Sequence, residues 1–178
     1  RHYEHIAQRV DLPIILYNVP GRTGMSCTAE TYKTLSEHPN INGVKEASGN
    51  FSLLAHTRRL CPPDFSIWSG NDDQVVPMMA LGAKGVISVA CNIIPEVMVE
   101  MARLCLDNDF AAAGTLQIQY MELFDALFRE VNPIPIKAAM ELMGQEAGTL
   151  RLPLCQMAEP DLTALRSALE RLGLLPPC

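Results

Sequence analysis

A lysine inside an apolar stretch is the first residue of this sequence that suggests chemistry. Lys45 lies in INGVKEA (41–47), directly after Val44. Burial disfavours the charged form of an amine and lowers its pKa, and the neutral amine is the form that attacks a ketone to give a Schiff base. The alternative is a strand-end lysine that pairs with Glu46 or with an acid on a neighbouring helix. Spacing alone favours that alternative.

An earlier apolar stretch, ILYNVPGRTG (15–24), contains two further residues that could take part in chemistry, Tyr17 and Arg22. By itself Tyr17 is best interpreted as a core residue whose hydroxyl bonds to the backbone. On a strand next to Lys45 it becomes a candidate proton shuttle for the formation and hydrolysis of an imine. Arg22 lies in a Pro-Gly-Arg-Thr-Gly turn, where an arginine is usually solvated. Aimed into a pocket, its planar guanidinium would bind a substrate carboxylate.

The other candidate residues also fall at the ends of predicted strands. Gly70 and Asn71 end the third strand and Ile87 lies in the fourth, each about one βα unit after the position before it. Parallel α/β folds build their active sites at the carboxyl edge of the sheet. We therefore expect these residues to lie with Tyr17 and Lys45 around one pocket.

Neither a metal site nor a nucleotide site is predicted. Asp72 and Asp73 in SGNDDQ (69–74) could suggest metal ligands, but they precede an apolar periodic run and are better interpreted as helix caps. No cysteine or acidic cluster joins the four histidines. The sequence also contains neither GxGxxG nor P-loop spacing, so no bound cofactor is expected.

Alternating patterns of strands and helices position these residues. Four apolar runs predict parallel strands covered on both faces, at 13–19, 41–47, 65–70 and 85–90. Helical patterns separate them, at 28–38, 52–60 and 74–82, and the first opens with a weak capping box at Thr28. After residue 92 only helices are predicted, at 94–108, 110–130, 135–144 and 159–173. This pattern fits either a small open α/β sheet or the second half of a (β/α)₈ barrel.

Composition excludes several classes of protein. The 178 residues carry a formal net charge of −6 with no basic cluster, which argues against nucleic acid as a partner. No apolar run approaches the roughly 20 residues of a membrane span, and the first residues lack the pattern of a signal peptide. Six scattered cysteines without a CxxC motif are typical of reduced thiols in a cytoplasmic protein.

Six motifs, in this order and spacing, resemble the dihydrodipicolinate synthases, which belong with N-acetylneuraminate lyase to the pyruvate-dependent class I aldolases. The motifs are YNVPGRTG (17–24), GVKEASGN (43–50), SGNDDQ (69–74), GAKGVISVACN (82–92), NPIPIK (132–137) and LRLPL (150–154). The resemblance implies a cytoplasmic lyase that condenses pyruvate with aspartate semialdehyde in the diaminopimelate route to lysine. It implies a homo-oligomer that uses no cofactor.

The resemblance also implies roles for individual residues. Lys45 resembles the imine-forming lysine, and Tyr17 the proton-relay tyrosine. Arg22 matches the arginine that holds the carboxylate of the semialdehyde, and neuraminate lyases lack it. The backbone of Ile87 matches a contact to pyruvate, and Gly70 lines the same floor. Asn71 stands there where many members of the family have an aspartate.

The resemblance extends only to the C-terminal portion of the family. It implies that residues 1–92 form strands five to eight of a TIM barrel, and that residues 93–178 form the last barrel helix and a helical subdomain. The threonine pair that binds the pyruvate carboxylate in the family has no counterpart here, nor has the tyrosine from a neighbouring subunit. Two alternatives are a sibling aldolase for another 2-oxo acid and a chain that only folds or associates. An isolated half barrel is expected to associate through its open edges and to show negligible turnover.

Overall fold

The computed structural model describes residues 1–175, in which parallel strands alternate with helices and a helical region follows. The strands are β1 (Ile14–Asn18), β2 (Ile41–Glu46) and β3 (Ser66–Ser69). The helices are α1 (His2–Ala7), α2 (Pro20–Thr23), α3 (Ala29–Leu35), α4 (Phe51–Leu60), α5 (Val75–Ala80), α6 (Pro95–Leu106), α7 (Phe110–Leu127), α8 (Ile134–Leu142) and α9 (Glu159–Arg171). Short 3₁₀ helices occupy Asp72–Gln74 and Ala90–Asn92.

The three strands form one parallel sheet in the order β1-β2-β3. Side chains alternate between its two faces. The outer face is covered, and its centre is apolar, since Leu16, Val44 and Ile67 are all buried in the hydrophobic core. The inner face carries Tyr17 and Lys45, which lie opposite each other in the register of β1 and β2. The sheet therefore separates a buried packing face from a face that holds the candidate chemistry.

The predicted fourth strand at 85–90 is wrong in its extent. Only an isolated parallel bridge between Ser69 and Val86 remains of it. The N–H groups of Val89 and Ala90 donate to the Asp72 carboxylate at 3.1 and 2.9 Å, and the chain turns there into the 3₁₀ helix. These amides bond to a side chain instead of a strand, so the ladder cannot continue.

The same bonds correct the interpretation of Asp72 and Asp73 as caps of the helix that follows them. Neither the 3₁₀ helix at Asp72–Gln74 nor α5 has a side-chain cap. Asp72 instead serves the later 3₁₀ helix, at Ala90–Asn92. The predicted cap of α3 is confirmed, because the Thr28 side chain accepts from the N–H of Thr31 at 3.2 Å.

A buried carboxylate joins the outer face of the sheet to α3. Glu46 is 4% exposed and accepts from the Asn18 side chain at 2.9 and 3.1 Å, from the Tyr32 hydroxyl at 3.0 Å and from the Ser48 N–H at 2.8 Å. Hydrogen bonds to an ionised acceptor offset the desolvation that makes a buried charge costly. We refer to Glu46, Asn18, Tyr32 and Ser48 as the Glu46 cluster.

The helices α6 to α9 continue the same hydrophobic core. Met101, Leu123, Phe124 and Leu165 are buried in one cluster with the residues behind the sheet. The division of the chain at 92/93 stays a prediction. Residues 176–178, which include Cys178, lie outside the described residues. The five cysteines of the described part are free. Within residues 1–175 no helix combines the length and the apolar character that crossing a membrane requires.

Removal of the Tyr32 hydroxyl should destabilise the protein. Tyr32→Phe leaves the aromatic packing in place but takes one donor from a buried carboxylate. We expect the free energy of unfolding to fall by about 1.5–3 kcal/mol, the range for hydrogen bonds to charged groups. Chemical denaturation of the protein and its variant measures the two free energies of unfolding. Tyr120→Phe, in a half-buried tyrosine that packs on Phe124, is the control. Equal losses in the two variants would contradict a special role of the Glu46 cluster.

Candidate active site

Lys45 occupies the centre of the inner face of the sheet. It lies on β2 opposite Tyr17 of β1 and Trp68 of β3. Its Nζ stands 4.6 Å from the centroid of the Tyr17 ring, within the range of a cation–π contact. The structure thus brings the predicted nucleophile and the predicted proton shuttle into direct contact.

The alternative interpretations of both residues are wrong. Lys45 does not pair with Glu46, whose side chain points to the opposite face and is taken up by the Glu46 cluster. None of the salt bridges in the described part of the chain includes Lys45. Tyr17 is not a core tyrosine, because 45% of it is exposed on the inner face.

The electrostatic surroundings of Lys45 favour a neutral amine. Desolvation by burial is the largest cause and lowers the pKa of Lys45 below its ordinary value. The Asp72 carboxylate opposes this effect, the positive charge of Arg22 adds to it, and Cys91 acts in the same direction as Asp72. A lowered pKa increases the fraction of the neutral amine, the form that attacks a carbonyl carbon.

A cavity of about 460 Å³ lies at the carboxyl ends of β1, β2 and β3 and contains four of the predicted site residues, Tyr17, Arg22, Gly70 and Asn71. Arg22 reaches it from α2, a single helical turn that ends at Gly24 in the left-handed region (φ 69°). Another part of the wall consists of residues 128–132, between α7 and α8. The cavity therefore combines strand ends with the helical region of the chain.

Gly70 and Asn71 line the cavity at the end of β3, whereas Lys45 and Ile87 lie next to that strand end without lining the cavity. Gly70 is buried, and a Cβ there would lie 2.5 Å from the Cβ of Ala47, so only glycine permits this close approach of two strand ends. The Asn71 amide donates to the Gln74 side chain at 3.3 Å. The N–H of Ile87 donates to the Ser69 carbonyl at 2.9 Å, and a contact between its backbone and a substrate stays a prediction.

Sequence reasoning missed several residues of the site. Trp68 is adjacent to Lys45 on the inner face, and its position could have been found by alternation along the third strand. The wall at 128–132 includes Asn132 of the NPIPIK motif, although that motif contributed no predicted site residue. The sequence carried no signal for the effect of Asp72 on Lys45, because an aspartate that caps a helix and one that acts on a nearby lysine can both stand before an apolar run.

The arrangement suits imine chemistry. Among the described residues no group of three or more histidine, cysteine, aspartate or glutamate side chains could hold a metal ion. The groups that converge are instead a half-buried amine, a phenol and a guanidinium. An amine with a lowered pKa can attack a carbonyl carbon, the phenol can move protons, and the guanidinium can hold a carboxylate.

Comparison with known proteins gives a consistent result. Residues 1–172 match the model of the dihydrodipicolinate synthetase family. A 4-hydroxy-tetrahydrodipicolinate synthase of Thermoanaerobacter sp. (strain X514) is 50% identical over 175 residues, which cover 98% of this chain and 59% of that protein. This chain thus spans about three fifths of the length of that relative.

Solved structures agree. A dihydrodipicolinate synthase from Aquifex aeolicus superposes with a TM-score of 0.94 at 40% identity, over 99% of this chain and 61% of that one. The chloride-inhibited enzyme from Acinetobacter baumannii, complexed with pyruvate, gives a TM-score of 0.93 at 40% identity, over 98% and 60% of the two chains.

Lys45 should react with amine reagents at a lower pH than the exposed lysines do. Only the neutral amine reacts with acetic anhydride, so a lowered pKa moves the midpoint of labelling to lower pH. We expect the midpoint of Lys45 to lie below those of Lys33 and Lys84, which are exposed. Peptide mass spectrometry of the full-length polypeptide, labelled between pH 6 and about 11, measures all three. A common midpoint would contradict the electrostatic account of Lys45.

Proposed function

Because this chain belongs to the dihydrodipicolinate synthetase family, we propose that it carries the imine-forming part of a lyase that condenses pyruvate with aspartate semialdehyde. Its fold is the second half of a (β/α)₈ barrel followed by helices, in agreement with the structural neighbours. The contact between the Lys45 amine and the Tyr17 ring, at the carboxyl edge of the sheet, is the observation that carries the proposal. The full activity is proposed for a polypeptide as long as these relatives, of which this chain covers 59%, and we refer to it as the full-length polypeptide.

The first step forms a covalent bond between the chain and pyruvate. The neutral Lys45 amine attacks the carbonyl carbon, and a proton passes from the nitrogen to the carbonyl oxygen to give a neutral carbinolamine. Protonation of that oxygen and loss of water then leave a cationic imine at Lys45. Tyr17 borders both Lys45 and the cavity, so its hydroxyl is the group that we assign to these proton transfers.

The second step forms the carbon–carbon bond. The cationic imine withdraws electrons, so that the methyl group of bound pyruvate can lose a proton and become an enamine carbon. That carbon adds to the aldehyde carbon of the second substrate, and the aldehyde oxygen takes up a proton. No cofactor is required for this sequence, because the imine is the electron sink.

Arg22 is assigned to the carboxylate of the aldehyde substrate. It lies in the wall of the cavity, and its positive charge lowers the pKa of Lys45. A guanidinium binds a carboxylate in a planar, two-pronged geometry. This residue favours aspartate semialdehyde over an aldehyde without a carboxylate.

We further propose a homo-oligomer. At the edge strand β1, Ile15 is 45% accessible, and Leu12 before the strand is 67% accessible. An apolar face beside a strand edge favours association with another segment or chain. These exposed apolar residues support the proposal of a homo-oligomer.

Pyruvate should be trapped on Lys45 by reduction. Borohydride converts an imine to a stable secondary amine, so the full-length polypeptide incubated with pyruvate and borohydride should gain mass on the peptide that contains Lys45. Lys45→Arg retains the charge but cannot form the imine under these conditions, and should abolish the modification. Modification of Lys33, Lys84 or Lys137 in place of Lys45 would contradict the assigned nucleophile.

Arg22→Ala should mainly impair use of the aldehyde. We expect kcat/KM for aspartate semialdehyde to fall by about ten- to a hundredfold, since a hydrogen bond to a charged group contributes about 1.5–3 kcal/mol. Trapping of pyruvate on Lys45 should be retained, because Lys45 and Tyr17 are unchanged. Arg59→Ala, in an exposed arginine of α4, is the control in the coupled condensation assay. An equal loss of pyruvate trapping in Arg22→Ala would indicate that the residue supports the turn and does not bind the aldehyde.

A further inference from the structure

Asp72 is a buried acid that the proposed reaction does not yet use. It follows Asn71 at the end of β3 and is 1% exposed. Its Oδ2 accepts from the N–H groups of Val89 and Ala90, whereas its Oδ1 has no hydrogen-bond partner among residues 1–175. A buried carboxylate oxygen without a donor is costly, so its retention calls for a functional explanation.

The first effect of this carboxylate is mechanical. Its two bonds hold the turn that follows the bridge between Ser69 and Val86, and Ile87 lies inside that short segment. Two sets of bonds thereby hold the segment that contains Ile87 to the end of β3. Before the turn, the Ile87 N–H donates to the Ser69 carbonyl, and after it the N–H groups of Val89 and Ala90 donate to Asp72. The backbone at Ile87 is therefore held beside the end of β3.

The second effect is electrostatic. The groups that act on the charge of Lys45 are Arg22 from α2, Asp72 from the end of β3 and Cys91 from the 3₁₀ helix, and the Tyr17 ring lies beside it from β1. The two acidic groups favour the cation, whereas burial and Arg22 favour the neutral amine. Glu46 lies on the other face of the sheet, in its own cluster.

We propose that Asp72 is a positioning residue for imine formation, which fixes the Ile87 segment and supplies the negative charge that balances the cation formed at Lys45. The inference rests on the proposed function for its chemistry. The amine must be neutral when it attacks pyruvate, but the imine that results is positively charged. Burial and Arg22 assist the attack and oppose the product. A fixed carboxylate nearby stabilises the product without itself reacting.

Asp72→Asn separates the two effects. An asparagine oxygen can still accept from the two N–H groups, as it does at helix N-termini, but the negative charge is lost. Asp72→Ser gives a second neutral acceptor in case the amide is poorly accommodated. Asp73→Asn is the matched control, because it removes the charge of the adjacent residue, which does not appear among the groups that act on Lys45.

Two measurements on the full-length polypeptide test the proposal. In the neutral Asp72 variants, the pH midpoint of acetic anhydride labelling at Lys45 should fall by about 0.5–1 unit, because an opposing charge is gone. At a pH above the labelling midpoint of Lys45, where the free amine is neutral, the pyruvate concentration that gives half-maximal borohydride trapping should rise by about three- to tenfold, because the cationic imine loses its counter-charge. Asp73→Asn should leave both values unchanged, and the melting temperature of Asp72→Asn should stay close to that of the wild type.

The outcomes are distinguishable. An unchanged labelling midpoint in both neutral variants would overturn the role of Asp72, whatever happens with pyruvate. Failure of the wild type to trap pyruvate would overturn the proposed function, while the labelling midpoint would still decide whether Asp72 controls the charge of Lys45. Equal shifts in the Asp72 and Asp73 variants would reduce the effect to net charge and would also overturn the proposal.

Discussion

The buried carboxylate of Glu46 is the interaction on which the geometry of the site depends. Its oxygens accept from the side chains of Asn18 on β1 and Tyr32 on α3, and from the N–H of Ser48 after β2. A charge without water is stable only where donors surround it, so these elements are held in one arrangement. Since neighbouring side chains of a strand point to opposite faces, a Glu46 that points outward requires Lys45 to point inward.

A second buried acid has the corresponding role at the end of β3. Asp72 bonds to two amides of the segment that contains the Ser69–Val86 bridge, and this segment joins the rim of the site without forming a full strand. Glu46 has its hydrogen bonds distributed over both oxygens, whereas Asp72 keeps one oxygen without a donor in the described part of the chain. The first acid therefore serves the scaffold, and the second remains available to act on Lys45.

The helical region contributes to the same site. Residues 128–132, between α7 and α8, form the wall of the cavity opposite Arg22. Those residues are kept in place by the packing of α7 on α6 and α9, through buried side chains such as Leu123, Phe124 and Leu165. Changes in this helical core are thus coupled to the shape of the cavity, although they lie far from Lys45 in the sequence.

The sequence by itself predicted most of the strands and helices and the candidate residues at the strand ends. Apolar runs and helical periodicity located three of the four predicted strands and most of the helices, and the residues at strand ends marked Tyr17, Lys45, Arg22, Gly70 and Asn71 as candidates, because these features depend on local pattern. Tertiary structure alone decided the partners. Glu46 bonds to Asn18, 28 positions away, and Asp72 bonds to Val89, 17 positions away, which ended the predicted fourth strand. Hydrogen bonds between distant segments form only after the strands have aligned, so no local pattern could report which amide each buried carboxylate would bind.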